Sequence, residues 1–208
     1  IPLRKVAAMS HVSSRDVEEL SDAERAFYSR QLILPEMGYE AQLALKGARV
    51  VVLGAGGLGA PSLLYLAGAG VGHIVVIDDD RVDTSNLHRQ VIHTYARVGN
   101  SKAESAAESL RALNPHIQVD AVCARLAAEN VDELLAGADL VLDGSDNFES
   151  RYLVSEAAAR AGIPHVWSAI LGFDAQLSVF WAGHGPVYED LYPHAPAEGS
   201  VPSCSTAG

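Results

Sequence analysis

A glycine-rich segment of the chain has the spacing of a phosphate-binding loop. Gly54, Gly56 and Gly59 fit the pattern G-x-G-x-x-G between a predicted strand and a predicted helix, and Gly57 lies inside it. Such glycines let the backbone approach a phosphate, and the helix N-terminus supplies N–H groups and the positive end of a dipole. Asp78 ends the next predicted strand, where an acid can accept hydrogen bonds from ribose hydroxyls. Although a glycine-rich packing turn is the alternative, this context indicates a nucleotide site.

The residues after Asp78 help to decide which nucleotide such a loop would bind. The same loop and acid serve NAD and ATP, but residues 78–90 (DDDRVDTSNLHRQ) place polar and cationic groups directly after the acid. A triphosphate needs such groups, because each phosphate left unpaired in a partly dry site costs free energy. Arg89 and Lys102 are candidates to hold the phosphates, and Asn86 is a candidate to orient them. Taken singly, such cations are mostly solvated surface residues, but their order after Asp78 favours ATP.

A second polar cluster, residues 143–147 (DGSDN), follows another predicted strand. Ligands of open α/β sheets bind at the edge where the strands have their carboxyl ends. A carboxylate at Asp146 could hold Mg²⁺ against the phosphates, since oxygen is a hard ligand for a hard ion. Asp146 or Asn147 could equally be the N-cap of the helix predicted to start at Phe148, and the two roles are compatible.

Alternating strands and helices are expected to position these residues. Strands are predicted over 49–53, 73–78, 118–124, 139–143 and 165–170, with a sixth, antiparallel strand over 175–181. Helices are predicted from a cap at Ser21 through Tyr28 and Arg30 to Leu32, and over 39–46, 61–70, 102–113, 129–135 and 148–161. The pattern predicts an α/β fold with a Rossmann-like, doubly wound, mostly parallel sheet and N-terminal helices. The proline-rich segment 186–208 is expected to be irregular.

Composition and charge exclude several classes of protein. Among 208 residues, 15 Lys and Arg face 26 Asp and Glu, and the net charge of −11 argues against a nucleic-acid partner. No apolar run approaches the ~20 residues that span a bilayer, so no membrane association is expected. Cys123 and Cys204 are the two cysteines, too few for a disulfide framework, which favours a reducing cytoplasm. Cys123 lies in a predicted strand and is expected in the core.

Five segments of the chain resemble the MoeB/ThiF adenylyltransferases, bacterial relatives of ubiquitin-activating enzymes. They read YSRQ, GAGGLG, IDDDRVDTSNLHRQ, VGNSKAES and LVLDGSDN. The resemblance covers 21–208, leaving 1–20 as an N-terminal extension, and the adenylation domain is expected to be incomplete at its C-terminus. It implies a homodimer that uses ATP and Mg²⁺ to adenylate the C-terminal glycine of a small ubiquitin-like sulfur carrier ending in Gly-Gly, with release of pyrophosphate. The sulfur would serve molybdopterin, thiamine or cysteine-type pathways.

The resemblance also implies roles for individual residues. Gly57 and Asp78 match contacts to adenosine, Asp146 matches the catalytic, metal-associated Asp, and Arg30 matches an arginine that reaches into the partner subunit's site. The residues expected to bind the nucleotide are Gly54, Gly56, Gly57, Gly59, Asp78, Asp80, Ser85, Asn86, Leu87, His88, Arg89, Lys102, Asp146 and Asn147, of which Asn86, Arg89 and Lys102 match phosphate contacts.

Cysteine positions raise two further questions. Cys204 matches a cysteine that in some members forms a covalent link to the activated carrier or a persulfide, and an unreactive loop cysteine is the alternative. Many members have Cys-x-x-Cys where this chain has Val187 and Asp190, so a zinc site is not expected here. Some relatives without those cysteines carry a rhodanese-like domain, a sulfur donor that the resemblance permits here.

Three other functions remain open from the sequence. An NAD(P)-dependent oxidoreductase would use the same glycine loop, but would leave SNLHRQ, Lys102 and Asp146 without a role. A non-catalytic scaffold would bind carrier or nucleotide without turnover. A relative that adenylates a small molecule or modifies tRNA would share the nucleotide site but not the acceptor surface.

Overall fold

A six-stranded sheet is the centre of the protein in a computed structural model that describes residues 17–196. The strands are β1 (Arg49–Leu53), β2 (His73–Ile77), β3 (Gln118–Val122), β4 (Leu140–Asp143), β5 (His165–Leu171) and β6 (Asp174–Phe180). Their order is β3-β2-β1-β4-β5-β6, with β1 to β5 parallel and β6 antiparallel to β5. The chain therefore has the predicted Rossmann-like, mostly parallel sheet, including the antiparallel sixth strand.

Helices cover both faces of the sheet. They are α1 (Asp22–Phe27), α2 (Ser29–Leu32), α3 (Gly38–Gly47), α4 (Gly59–Ala69), α5 (Lys102–Leu113), α6 (Val131–Leu135), α7 (Phe148–Ala161) and α8 (Tyr188–Leu191). Short 3₁₀ turns lie at Thr84–Asn86 and Tyr95–Arg97. Among residues 17–196, no helix is both long and apolar enough to cross a bilayer.

The central strands are buried on both sides, which explains their continuous apolar runs. Successive side chains of a strand point to opposite faces. Accordingly Val50 and Val52 of β1 join one core cluster with α4 and α5, while Val51 and Leu53 join another with α6 and α7. These two clusters pack against the sheet from both sides, so the loops at its carboxyl edge start from buried strands.

The predicted first helix is wrong in one respect, because it breaks at Tyr28. This residue has φ −90° and ψ 12°, and its buried phenol accepts a hydrogen bond from Asn114 Nδ2 at 2.8 Å. The contact joins the N-terminal helices to the end of α5. Packing against the domain therefore outweighs the tendency of the segment to continue as one helix.

Two further predictions about the edges of the sheet are wrong. Strand β3 ends at Val122 rather than at residue 124, and Cys123 is exposed, with its Sγ 3.0 Å from Ser101 Oγ. An edge strand has one neighbour only, and Val122 accepts the last ladder hydrogen bond, from Asp78 N.

The segment from residue 186 is not wholly irregular as predicted, because α8 forms within it. Asp190 accepts a hydrogen bond from Val187 N at 2.8 Å, which closes the first turn of this helix. Tyr188 is fully buried against Trp167 and Phe180. The aromatic contact supplies the stability that the local sequence lacks. Residues 1–16 and 197–208, including Cys204 and most of the predicted extension, lie outside the described residues.

Candidate functional site

A cavity of about 590 Å³ opens at the carboxyl ends of the central strands. Its walls combine the loop after β1, the segment after β2, the loop after β4 and the first residues of α5 and α7. The predicted nucleotide residues that line it are Gly54, Gly56, Gly57, Asp78, Asp80, Arg89, Lys102, Asp146 and Asn147. The fold thus brings together two motifs far apart in the sequence, in a space of the size that small-molecule sites have.

Two positions of the glycine loop, Gly54 and Gly59, do not accommodate a side chain. Gly54 has φ +87°, a conformation that favours glycine. A Cβ on Gly59 would lie 1.8 Å from the carbonyl oxygen of Gly54. Gly59 does not line the cavity; it lets α4 begin directly against the loop. Ala60 N donates to the Gly56 carbonyl at 2.8 Å and Pro61 has no N–H, so the backbone N–H groups left for a ligand in the cavity are those of Gly57 and Leu58, which line it.

Asp78 fixes the glycine loop to the segment after β2. Its Oδ2 accepts a hydrogen bond from Ala55 N at 2.7 Å, and its Oδ1 accepts one from Asp80 N at 2.8 Å. The carboxylate is half-buried and borders the cavity, the space in which a ribose was predicted. That role for Asp78 stays a prediction.

His93 forms a hydrogen bond to the same glycine loop, a contact that the sequence did not predict. Its buried ring lies 3.0 Å from the carbonyl oxygen of Ala55 through Nε2 and 2.9 Å from Ser105 Oγ through Nδ1. A carbonyl only accepts, so Nε2 donates and Nδ1 of the neutral ring accepts from Ser105. Burial lowers the pKa of His93; the hydrogen bond to Ala55 opposes this, and the charge of Lys102 adds to it.

We expect His93 to make the protein less stable as the pH is lowered. The folded state keeps the ring neutral, whereas the unfolded chain takes up a proton near the ordinary pKa of about 6.5. The free energy of unfolding should therefore decrease as the pH falls below that value, towards the lowered folded pKa. His93→Gln, which hydrogen-bonds without titrating in this range, should flatten the curve measured by urea unfolding between about pH 5 and pH 8. Parallel curves for the two proteins would contradict this role.

Lys102 is the most buried of the predicted phosphate-binding cations. Its side chain is 8% exposed, and its Nζ lies 2.7 Å from Oδ2 of Asp80, which is 69% exposed. The pair places a largely desolvated ammonium at the start of α5, next to the cavity. Asp80 is solvated and can release Lys102 to a more highly charged anion.

Arg89 lies over the glycine loop, and its side chain contacts several of the other residues predicted to bind the nucleotide. A Cβ on Gly57 would come within 3.7 Å of the Arg89 side chain. Its guanidinium donates to Asn86 Oδ1 at 2.8 Å and to the Ser85 carbonyl at 3.3 Å, and contacts His88 at 3.4 Å. Four predicted contacts, Ser85, Asn86, Leu87 and His88, do not line the cavity, and their nucleotide contacts stay predictions.

In the loop after β4, the roles of helix N-cap and candidate metal ligand belong to different residues. Asn147 is the N-cap of α7, since its Oδ1 accepts a hydrogen bond from Ser150 N at 2.8 Å. Asp146 is exposed, and its carboxylate has no hydrogen bond or ion pair among the described residues. Ser145 and Arg151 also line this end of the cavity, and neither was predicted to do so.

Asp146 fits a metal ion that arrives with a nucleotide better than a metal held by the protein alone. Within residues 17–196, no group of three or more His, Cys, Asp or Glu side chains could hold an ion. Mg²⁺ commonly uses one or two carboxylates together with substrate phosphates and water. The free carboxylate of Asp146, facing a cavity lined by Lys102 and Arg89, suits that arrangement.

Arg30 does not line the cavity of its own chain. It is exposed on α2, and no hydrogen bond or ion pair in the described part of the chain involves it. The helix itself is anchored, because Gln31 Nε2 donates to the Ala69 carbonyl at 3.1 Å. Arg30 is thus presented outward from a fixed helix, and its action in a partner subunit stays a prediction.

Fold and site together define a Rossmann-like domain with a glycine loop of the nucleotide-binding type, extended by cationic residues and a free carboxylate. Residues 28–208 match the ThiF family, and the chain belongs to that family.

Relatives in this family carry related names. The chain is 55% identical over 193 residues to a probable adenylyltransferase/sulfurtransferase MoeZ of Mycobacterium tuberculosis, covering 91% of this chain and 49% of that protein. It is 52% identical over 186 residues to a sulfur carrier protein adenylyltransferase of Thermus thermophilus, covering 87% of this chain and 69% of that protein. A solved structure of Escherichia coli MccB with ATP superposes with a TM-score of 0.71 at 25% identity, covering 86% of this chain and 52% of that one. The chain thus spans about half the length of the mycobacterial relative.

Proposed function

We propose that the protein uses ATP to adenylate the C-terminal glycine of a small ubiquitin-like sulfur-carrier protein that ends in Gly-Gly. The observation that carries this proposal is the placement of Lys102, Arg89 and the free carboxylate of Asp146 around one cavity beside a glycine loop. A dinucleotide enzyme has no evident use for that combination. The names of the relatives, adenylyltransferases for sulfur carriers, support the same reaction.

The reaction needs alignment and charge neutralisation more than proton transfer. An oxygen of the carrier's terminal carboxylate bonds to the α-phosphorus of ATP, and the bond from that phosphorus to the oxygen bridging to the β-phosphate breaks. Pyrophosphate leaves with the electron pair. The attacking carboxylate is already ionised near pH 7, so no general base is required. Fixed cations that offset the charge of the phosphates supply the main acceleration.

The side chains of the cavity divide this work. The N–H groups of Gly57 and Leu58, just before α4, and the side chains of Arg89 and Lys102 bind the phosphates, and Asp78 holds the ribose end. Asp146 holds Mg²⁺, which when bound neutralises phosphate charge. Lys102 exchanges its partner Asp80 for phosphate oxygens, so its charge is offset both before and after ATP binds.

The wider assembly is also part of the proposal. Arg30 would reach into the site of a second copy of the chain in a homodimer. The thiolate of Cys204 would attack the carbonyl carbon of the acyl-adenylate to form a thioester as AMP leaves, or would take the outer sulfur of a persulfide on a rhodanese-like donor, whose own thiolate leaves. Cys204 lies outside the described residues, so its role rests on the family resemblance alone.

Lys102→Met is expected to weaken ATP binding about tenfold or more. It removes a charge-assisted hydrogen bond while keeping a side chain of similar length, and such bonds are each worth roughly 1.5–3 kcal/mol. Isothermal titration with a non-hydrolysable ATP analogue measures the change. Arg160→Gln is the control, because Arg160 is an exposed cation of α7 that pairs with Asp132 outside the cavity. An unchanged dissociation constant for Lys102→Met would remove Lys102 from the phosphate site.

The choice between an adenylating and a hydride-transferring enzyme can be made by binding. ATP should bind the protein more tightly than NAD or NADP, with the affinity for ATP increased by Mg²⁺. Tighter binding of a nicotinamide dinucleotide would overturn the proposal. Turnover is then tested by ATP–pyrophosphate exchange in the presence of carrier, which a scaffold that only binds would not catalyse.

A further inference from the structure

Arg151 is a buried cation at the end of the cavity opposite Lys102. It lies in the first turns of α7, is 8% exposed, and lines the cavity beside Asp146. Its Nη2 donates to the Ser145 carbonyl at 3.2 Å, and its guanidinium stacks 4.9 Å from the centre of the Phe148 ring. These contacts hold the planar group at one place on the cavity wall.

The charge of Arg151 is not balanced by any described residue. No ion pair among residues 17–196 includes it, and its Nε is shielded from solvent without a hydrogen-bond partner. The Oγ of Ser145 in the adjoining loop is likewise shielded and unpartnered. A buried cation without a counter-charge is unfavourable, and the positive end of the α7 dipole makes this position worse.

The acidic groups close to Arg151 do not supply the missing charge. Asp143 is already engaged, because it accepts a hydrogen bond from Ser145 N at 2.9 Å and contacts His165 Nε2 at 3.1 Å. Burial raises the pKa of the Tyr188 phenol, and although the charge of Arg151 and a hydrogen bond from it oppose this, the phenol is neutral near pH 7 and carries no counter-charge. Asp146 also lines this end of the cavity, but among the described residues no carboxylate lies within ion-pair distance of Arg151, so its guanidinium is available to an anion that enters here.

We propose that Arg151 binds the terminal carboxylate of the acceptor chain and orients it for attack on the α-phosphate, an inference that rests on the proposed function. A guanidinium presents two parallel N–H donors that match the two oxygens of a carboxylate. Arg151 gives up no proton in the reaction. As one carboxylate oxygen bonds to phosphorus and pyrophosphate leaves, the second oxygen becomes the carbonyl oxygen of the acyl-adenylate and keeps its hydrogen bond.

The sheet order explains why this anion is the acceptor and not the triphosphate. The glycine loop follows β1, which lies between β2 and β4. Lys102 pairs with Asp80 beyond the end of β2, whereas Arg151 and the loop after β4 lie on the other side, next to Ala169 and Ile170 of β5. Phosphates held over the glycine loop would thus have their cations on one side and leave the other side open to the incoming chain.

A double-mutant cycle tests this contact with two forms of the carrier that supports exchange. One form ends in the natural Gly-Gly carboxylate, and the other ends in a C-terminal amide without the negative charge. Their dissociation constants are measured by titration calorimetry in the presence of a non-hydrolysable ATP analogue. Wild-type protein should prefer the carboxylate about tenfold or more, whereas Arg151→Gln should bind both forms with nearly equal affinity. Arg151→Gln should bind the ATP analogue alone within about twofold of wild type.

Two controls separate this role from a purely structural one. Arg160→Gln removes a cation of the same helix that pairs with Asp132 outside the cavity, and should keep the full preference for the carboxylate. Arg151→Lys keeps the charge and should retain part of the preference for the carboxylate. If Arg151→Gln folds poorly, Arg151→Lys still tests the contact.

Three outcomes would overturn the inference. If Arg151→Gln kept the full preference for the carboxylate form over the amide form, another group would bind the carboxylate. A tenfold loss of affinity for the ATP analogue alone would assign Arg151 to the nucleotide. A wild-type protein that supports exchange but binds both carrier forms equally would also exclude the contact, whereas absence of exchange with every carrier would refute the proposed function itself and this inference with it.

Discussion

Asp146→Asn is expected to lower carrier-dependent ATP–pyrophosphate exchange by about 10²–10³-fold, the usual effect of removing one preorganised electrostatic group. The substitution keeps the size of the side chain and removes the charge that we assign to Mg²⁺. Because Asp146 is exposed and makes no contact that stabilises the described fold, the melting temperature should change little. Exchange of labelled pyrophosphate into ATP, together with thermal unfolding, measures both properties.

Asp174→Asn is the matched control for this prediction. Asp174 is an exposed carboxylate at the start of β6 and does not line the cavity. Its replacement should leave exchange unchanged and so exclude a general effect of reduced negative charge. Retention of near wild-type exchange by Asp146→Asn would contradict the role given to this carboxylate.

Gly59→Ala should destabilise the protein by about 3 kcal/mol or prevent its folding. The added methyl group would lie 1.8 Å from the carbonyl oxygen of Gly54, and that atom belongs to the backbone and cannot rotate away. To remove this overlap, either the glycine loop or the start of α4 would have to move. Any protein that folds should therefore also bind ATP poorly, because the N–H groups of Gly57 and Leu58 would shift.

Gly68→Ala in the same helix provides the control for Gly59→Ala. A Cβ on Gly68 would meet nothing within 4 Å, and the residue has ordinary helical geometry. Alanine favours the helix over glycine by roughly 0.5–1 kcal/mol, so this variant should be slightly more stable than wild type. Urea unfolding of the two variants compares them directly. Equal stabilities would show that the close packing of Gly59 against Gly54 does not constrain the loop.

Local patterns were sufficient to predict most of the fold. The apolar runs of β1 and β2 indicate buried parallel strands, because each residue of such a strand meets a covered face. The break at Tyr28 and the helix α8 could not be predicted, since each depends on a distant partner. Tyr28 is held by Asn114, and Tyr188 by the aromatic side chains of β5 and β6. Neither contact leaves a trace in the sequence around it.

The residues of the candidate site also fall into two groups, those that the sequence predicted and those that it did not. Asp78, Lys102 and Asp146 stand in motifs with characteristic spacing, and the fold gathers them in one cavity. His93 and Arg151 are ordinary residue types outside any motif, and their importance depends on what surrounds them. One weak signal was available for Arg151, a basic residue in the first turns of a helix, where the dipole disfavours it.

ATP–pyrophosphate exchange tests the central claim most directly. Wild-type protein with Mg²⁺ should exchange labelled pyrophosphate into ATP when a ubiquitin-like carrier ending in Gly-Gly is present. It should exchange far more slowly without carrier, or with a carrier that lacks its last glycine. Exchange that is independent of the carrier, or absent with every intact carrier while ATP binds normally, would contradict the proposal that the cavity activates a carrier's terminal carboxylate.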